Sequence, residues 1–401
     1  MDTSFDIVIV GAGIVGLGTA LQIKATRPLA RILILEKESH VAAHQTGHNS
    51  GVLHSGLYYK PGSLKAKNCV EGYTSMVNFC REHGIKHDIC GKIVVATTPE
   101  EIPLLKNLHE RGIANALKGL RTLSEGELRE IEPHVAGIEG LFVPQTGIVD
   151  YKDVCEKMRE LLEAAGVQIR FNEAVRNISS TSEQTNVETS AGAYHAKLLV
   201  TCAGLHSDRV ARMTVPELPL RIIPFRGEYY KVKKEKQYLV KNLIYPVPNP
   251  AFPFLGVHFT RMIHGGIEAG PNAVFAMKRE GYTRTSIDMK DLWESITWPG
   301  FRSVARKYWR TGMGEYYRSF NKHAFTAALQ KLIPDIREED LIEGGSGVRA
   351  QACDIQGGLL DDFYILDKKN IVHVCNAPSP AATSSLSIGK AIASLVQERI
   401  S

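Results

Sequence analysis

The sequence predicts an α/β chain, α+β overall. A discontinuous Rossmann-like dinucleotide-binding domain is joined to a second domain built on an antiparallel β-sheet with helices. Three observations carry this. A strand, a glycine turn, a helix, a second strand and a terminal acid follow one another in register over Asp6–Glu36. Another strand that ends in small residues, Lys197–Gly204, resumes the same kind of sheet much later. Between residues 219 and 280, short alternating strands bounded by Pro and Gly replace the strand–helix alternation. The dinucleotide domain is assigned to 1–85, 148–215 and 340–401, and the second domain to 86–147 and 216–339.

Ile7–Val10 is an uninterrupted apolar run, as expected of a strand buried on both faces. Gly11, Ala12, Gly13, Ile14, Val15 and Gly16 follow. Gly11 allows the tight turn, Gly13 lets backbone approach a pyrophosphate, and Gly16 lets helix pack on strand. The helix, marked by Leu17, Ala20, Leu21 and Ile23, points its positive end at the phosphates. The next strand, Arg31–Leu35, ends on Glu36, whose carboxylate can accept hydrogen bonds from ribose hydroxyls. That carboxylate would repel a 2′-phosphate, so NAD or FAD is favoured over NADP.

A polar loop rich in His and Gly spans residues 40–59, a composition suited to packing on a ligand. Helices are predicted at Ser63–His83 and Pro99–Arg111, with a strand between them at Gly91–Thr97. Ser124 and Glu127 form a capping-box pattern within 122–132, closed by Pro133. An amphipathic helix runs from Asp150 to Gly166. Strands are expected at Val167–Phe171, Val187–Thr189 and Lys197–Thr201. The second domain then shows Arg221–Arg226, Glu228–Val232, Leu243–Pro246, Gly256–Arg261 and Gly265–Gly270. Residues 286–322 become helical and hold all three tryptophans. Another helix covers 322–333. Gly344–Arg349 reads as a turn-rich loop, Tyr364–Leu366 and Ile371–Cys375 as a hairpin, and Ser384–Ile400 as a final helix.

Composition is that of a globular protein, 44% apolar and 23% charged. The longest apolar runs are far shorter than a membrane span. The chain enters its first strand directly, so no signal peptide is expected. Seven cysteines are scattered without CxxC or Cys/His metal spacing, so no metal is expected and reduced thiols on the cytoplasmic side are. Pro299–Lys322 carries six Lys or Arg against one acid, interleaved with aromatics. Residues 298–322 therefore suit the surface of an anionic membrane, peripheral on the inner membrane. No base-reading motif accompanies the patch, so no nucleic-acid partner is expected.

The opening unit resembles the FAD-binding element of the D-amino-acid-oxidase superfamily. Thr201-Cys-Ala-Gly204, Gly347-Val-Arg349 and Pro378-Ser-Pro-Ala-Ala-Thr383 match three further elements of that superfamily. Within it, His48–Tyr59, Phe225-Arg-Gly-Glu-Tyr-Tyr230 and Gly344–Ala350 are most similar to the L-2-hydroxyglutarate dehydrogenase/oxidase family. The resemblance spans the whole chain and implies FAD as cofactor, a dicarboxylate substrate, and oxidation to 2-oxoglutarate by hydride transfer from C2 to flavin N5. It implies that Gly11, Ala12, Gly13, Ile14 and Gly16 hold pyrophosphate and Glu36 the ribose, with Lys37 also at the cofactor. Val175 would hold adenine by backbone. Ser50, Gly51, Ala203, Gly204, Ser379, Pro380 and Ala381 would line the rest of the cofactor, the last three beside flavin N1 and C2=O.

The hydroxyl proton must go to a base, and histidine titrates near working pH. His54 in the loop and His258 in the second sheet are the candidates; His264 lies at a hairpin turn. Arginine forks match carboxylates, which points to Arg349, Arg226 and Arg261, with Tyr229 as a donor. Each arginine could instead pair a neighbouring acid. Rival readings are an amine or amino-acid oxidase of the same superfamily, a glycerol-3-phosphate oxidase, and a non-catalytic flavin-binding redox sensor. Quinone, oxygen and an electron-transfer flavoprotein are all open as electron acceptors.

Overall fold

The computed structural model describes residues 3–249, 255–397 and 399. Two large sheets and one small one organise the chain. Strand Ser4–Val10 lies centrally in the first, between Ile32–Leu35 and Ala193–Thr201, and parallel to both. Gln168–Arg170 extends one side in parallel, and Ile371–Asn376 runs parallel to Ala193–Thr201. The strand's alternation decides its two faces. Ile7 and Ile9 pack with the helix layer, which includes Leu17, Met158 and Ile392. Val8 and Val10 pack on the other face with Ile178, Val187 and Tyr194. Helices Ile14–Thr26 and Ser385–Gln397 touch through glycines: a Cβ on Gly389 would stand 2.6 Å from the Gly18 carbonyl oxygen.

The second sheet has nine strands. Its spine is a long antiparallel pair, Leu220–Val232 against Leu341–Asp354. Two expectations change here. Arg221–Arg226 and Glu228–Val232 are one strand, not two, because Gly227 sits inside it, where a Cβ would lie 2.7 Å from Pro271. Gly344–Arg349 is strand rather than loop. Its glycines serve close approach: a Cβ on Gly347 would reach 2.2 Å from the His48 carbonyl oxygen, and one on Gly344 2.6 Å from that of Tyr229. The second sheet therefore extends to Asp354, beyond the boundary expected at residue 340.

Residues 121–132 divide into a strand, Arg121–Ser124, and a helix, Glu125–Ile131, joined by the expected Ser124/Glu127 capping box. The basic aromatic stretch forms two helices, Met289–Thr297 and Pro299–Phe320. The last helix is described to Gln397, and its expected end at Ile400 lies outside the described residues. A three-stranded sheet of Val52–Leu53, His87–Asp88 and Gly147–Val149 holds the His54 loop between the two large ones.

Candidate active site

The first sheet ends in a cradle. Gly11 has φ +102°, and a Cβ there would lie 2.5 Å from the Cys202 carbonyl oxygen. A Cβ on Gly16 would stand 2.0 Å from the Gly11 carbonyl oxygen. Only glycine lets the turn, the helix and the neighbouring strand end meet this closely. Gly13 precedes the helix without a side-chain cap and faces a cavity of about 650 Å³. Ile14 N–H donates to Thr46 Oγ1 at 3.2 Å. Glu36 also lines the cavity; its Oε2 accepts from Ala12 N–H at 2.8 Å and its Oε1 from Glu38 N–H at 3.0 Å. The uncapped helix end, the glycine cradle and the oriented carboxylate fit a dinucleotide without a 2′-phosphate.

Most of the residues picked out from sequence line this one cavity. Gly11, Gly13, Ile14, Glu36, Lys37, Ser50, Val175, Ala203, Gly204, Ser379, Pro380 and Ala381 do, as do His54, His258, Tyr229, Arg226 and Arg349. Ala12, Gly16, Gly51 and Arg261 are not among its lining residues. Ala12 is buried and acts through its N–H on Glu36. Gly51 has φ +65° and turns the chain beneath Ser50. Lys37 lines the wall but is ion-paired, its Nζ 2.7 Å from Glu280 and also bonded to Glu38. Glu38, His44 and Glu280 stand close enough to hold a cation, and the Lys37 ammonium already lies among their carboxylates.

His54 and His258 come together at the far end. His54 N–H donates to Thr383 Oγ1 at 3.1 Å, and Thr383 also meets the Tyr151 hydroxyl at 2.8 Å. These bonds tie the loop to the turn ahead of the last helix. His54 Nδ1 is buried without a hydrogen-bond partner among the described residues. His258 opens the strand His258–Arg261 and stacks on Tyr245, ring centroids 4.0 Å apart. Its Nδ1 is 2.9 Å from the Gly256 carbonyl oxygen. A carbonyl only accepts, so Nδ1 carries the proton and Nε2 is left as acceptor.

Burial lowers the His54 pKa to about 3, reinforced by Lys92, His258, Lys65 and Arg349. Burial takes His258 to about 4, with Lys92 and Arg349 acting the same way. Both imidazoles are thus neutral at neutral pH, with an unprotonated ring nitrogen each. Burial raises the Tyr229 phenol to about 12, so it stays a donor. Arg349 faces the cavity from its strand. Burial lowers its pKa, and Tyr229, Tyr59 and Asp361 oppose that.

The three arginines do not share one situation. Arg226 is buried with its guanidinium 2.8 Å from Glu228, and it donates to the Thr283 carbonyl at 2.9 Å. Glu228 also accepts from Asn272 and Ser319, so the arginine belongs to a structural network. Arg261 is ion-paired with Asp88. His264 is exposed, with Nε2 3.1 Å from Asp153. Sequence reasoning missed Tyr59, Lys65 and Lys92, which stand around the two histidines or Arg349. A lysine opening the apolar strand Lys92–Ala96 was the available signal for the last.

The family model described as FAD dependent oxidoreductase matches residues 6–395. An L-2-hydroxyglutarate dehydrogenase of Indibacter alkaliphilus is 60% identical over 96% of this chain and 97% of its own. An L-2-hydroxyglutarate dehydrogenase of Escherichia coli K12 is 44% identical over 98% of this chain and 93% of its own. Among solved structures, the FAD-bound L-alpha-glycerophosphate oxidase of Mycoplasma pneumoniae superposes with a TM-score of 0.80 at 21% identity. That match covers 98% of this chain and 95% of that one, and it speaks for the fold alone. With glycine cradle, histidine pair and Arg349 gathered on one cavity, the chain belongs to the FAD-dependent oxidoreductases and, within them, to the L-2-hydroxyglutarate dehydrogenase family.

Proposed function

We propose that the protein oxidises L-2-hydroxyglutarate to 2-oxoglutarate. The observation that carries this is the convergence of Arg349 and two neutral imidazoles on the cavity that begins at the glycine cradle. Gly11–Gly16 and Glu36 would hold FAD, which supplies the acceptor for the C2 hydride. Arg349 binds a substrate carboxylate with its guanidinium fork. Tyr229 donates a hydrogen bond from its phenol and steadies the same end. The hydroxyl proton passes to an imidazole of the His54/His258 pair; His258 Nε2 is oriented for it by the Gly256 carbonyl.

Anaerobic titration of the FAD-loaded protein tests this. L-2-Hydroxyglutarate should bleach the flavin absorbance stoichiometrically, whereas the D enantiomer and common amino acids should not. Bleaching by an amino acid but not by the hydroxy acid would sink the assignment.

Electrons then go to a membrane quinone, with the protein peripheral on the cytoplasmic face of an inner membrane. Two observations support this. A second cavity of about 700 Å³ is lined by Phe275, Phe301, Trp309 and Tyr316, and it shares Phe225, Pro271, Asn272 and Ala273 with the first. The helix above it exposes Trp309, Met313, Tyr317 and Phe320 beside its arginines. Trp298 is instead buried, its indole N–H bonded to the Cys353 and Asp354 carbonyls, so only part of the aromatic set faces outward. Among the described residues no helix is long and apolar enough to cross a membrane. Sedimentation with anionic liposomes should fall at least tenfold when Arg302, Arg306, Lys307 and Arg310 are changed to Ser, since each cation near such a surface is worth about 1 kcal/mol. Unchanged sedimentation removes the membrane proposal.

A further inference from the structure

Lys92 is 1% exposed at the start of a strand whose five residues are all buried. A lysine usually keeps its ammonium in water, because desolvating the charge is costly. Lys92 cannot do so. Its Nζ stands 4.2 Å from the centroid of the Tyr58 ring and 5.1 Å from that of Tyr245. Ring faces hold a cation without neutralising it. Among the described residues no carboxylate is ion-paired with it, so its field is not cancelled locally. Tyr245 in turn stacks on His258 with 22° between the ring planes. Lys92, Tyr245 and His258 thus form three layers, and only the last lines the cavity.

We propose that Lys92 is a positioning residue: its charge, clamped between Tyr58 and Tyr245, acts through space on the cavity histidines and sets the pH at which the proton-accepting imidazole becomes available. The inference rests on the activity proposed above and deepens it.

The groups around it agree. Burial lowers the Lys92 pKa to about 7, with only the Cys69 thiol from the neighbouring helix opposing. Its cation is first among the charges that disfavour a proton on His54, ahead of His258, Lys65 and Arg349. It acts on His258 together with Arg349, while the Gly256 carbonyl opposes them. The sign follows from like charges. Protonated Lys92 weakens the imidazoles as bases. As pH rises through the lysine's titration, that opposition is withdrawn and the accepting imidazole becomes a stronger base.

The test is the pH profile of anaerobic flavin reduction, measured as kcat/KM. Lys92→Met removes the cation but keeps the volume, and it leaves no charge to desolvate, so the fold is retained. Without the cation the imidazole pKa rises. The acid limb should move to higher pH by about one unit, the size expected of one charge several ångströms away. Lys92→Arg should return the limb toward its original position. A uniform loss of rate with the limb unmoved, or the same shift in both variants, overturns the proposal. A second readout needs no turnover: the Nζ ¹⁵N titration of the FAD-loaded protein. A protonated Nζ at the pH of the acid limb whose signal is absent in Lys92→Met supports the proposal, and an Nζ already neutral there overturns it. Absence of flavin reduction at every pH in the unaltered protein would instead strike the activity, leaving the Nζ titration to decide the role of Lys92.

Discussion

Replacing Arg349 with Leu is expected to lower kcat/KM for L-2-hydroxyglutarate about a thousandfold, with FAD content unchanged. Arg349 and Arg226 both line the cavity, but Arg226 is bound into the buried network around Glu228, and Arg261 lies outside the lining; Arg349 is therefore the arginine proposed to meet a substrate carboxylate. Removing one partner of a charge-assisted pair that bound substrate desolvates costs about 4 kcal/mol, which is three decades in rate. Most of the loss should appear in KM if the interaction is equal in ground and transition states, and in kcat if it strengthens as the reaction proceeds. Arg349→Lys should recover only part, because a point charge lacks the bidentate fork. Arg226→Leu gives the contrast: it strands the buried Glu228, and its effect should appear chiefly as a lower melting temperature. Near-normal kcat/KM in Arg349→Leu would remove this arginine from substrate binding.

The second large effect concerns the histidines. Replacing the base with Asn should slow anaerobic flavin reduction by about two to four decades and flatten the acid limb of its pH profile. His258 is the expected base, since the Gly256 carbonyl fixes its proton on Nδ1 and leaves Nε2 to accept. His54→Asn should cost less and act mainly on KM, because His54 is held through its backbone N–H to Thr383 while its Nδ1 awaits a partner. Rapid-reaction absorbance separates the two effects. If His258→Asn reduces its flavin within tenfold of the original rate while His54→Asn does not, the roles are exchanged. If neither slows it, proton removal does not depend on this pair.

The cofactor half of the site was legible because its signals are local. Gly11, Gly13, Gly16 and Glu36 act within one strand–helix–strand unit, and the same contacts that make glycine obligatory there also set the spacing. Arg226 shows a case that was legible and read the other way. Glu228 lies two residues on, so strand geometry places both side chains on one face, where they pair. Gly344–Arg349 misled for a definite reason. Glycines commonly mark turns, but these let the Tyr229 and His48 backbones approach a continuous strand.

What the sequence by itself determined is the dinucleotide cradle and the two-sheet plan, which follow from periodicity and from spacings within a few tens of residues; the hydroxy-acid chemistry was what the family resemblance implied. The tertiary structure alone decided where each charged group comes to lie. Arg261 is taken by Asp88, 173 positions away, and Arg349 reaches the cavity because its strand pairs with one more than a hundred residues earlier. Lys92 becomes a buried cation between two tyrosines drawn from a distant loop and a distant strand. Charge at a site depends on what long-range packing places beside each group, and how far water is excluded there, neither of which a linear spacing encodes.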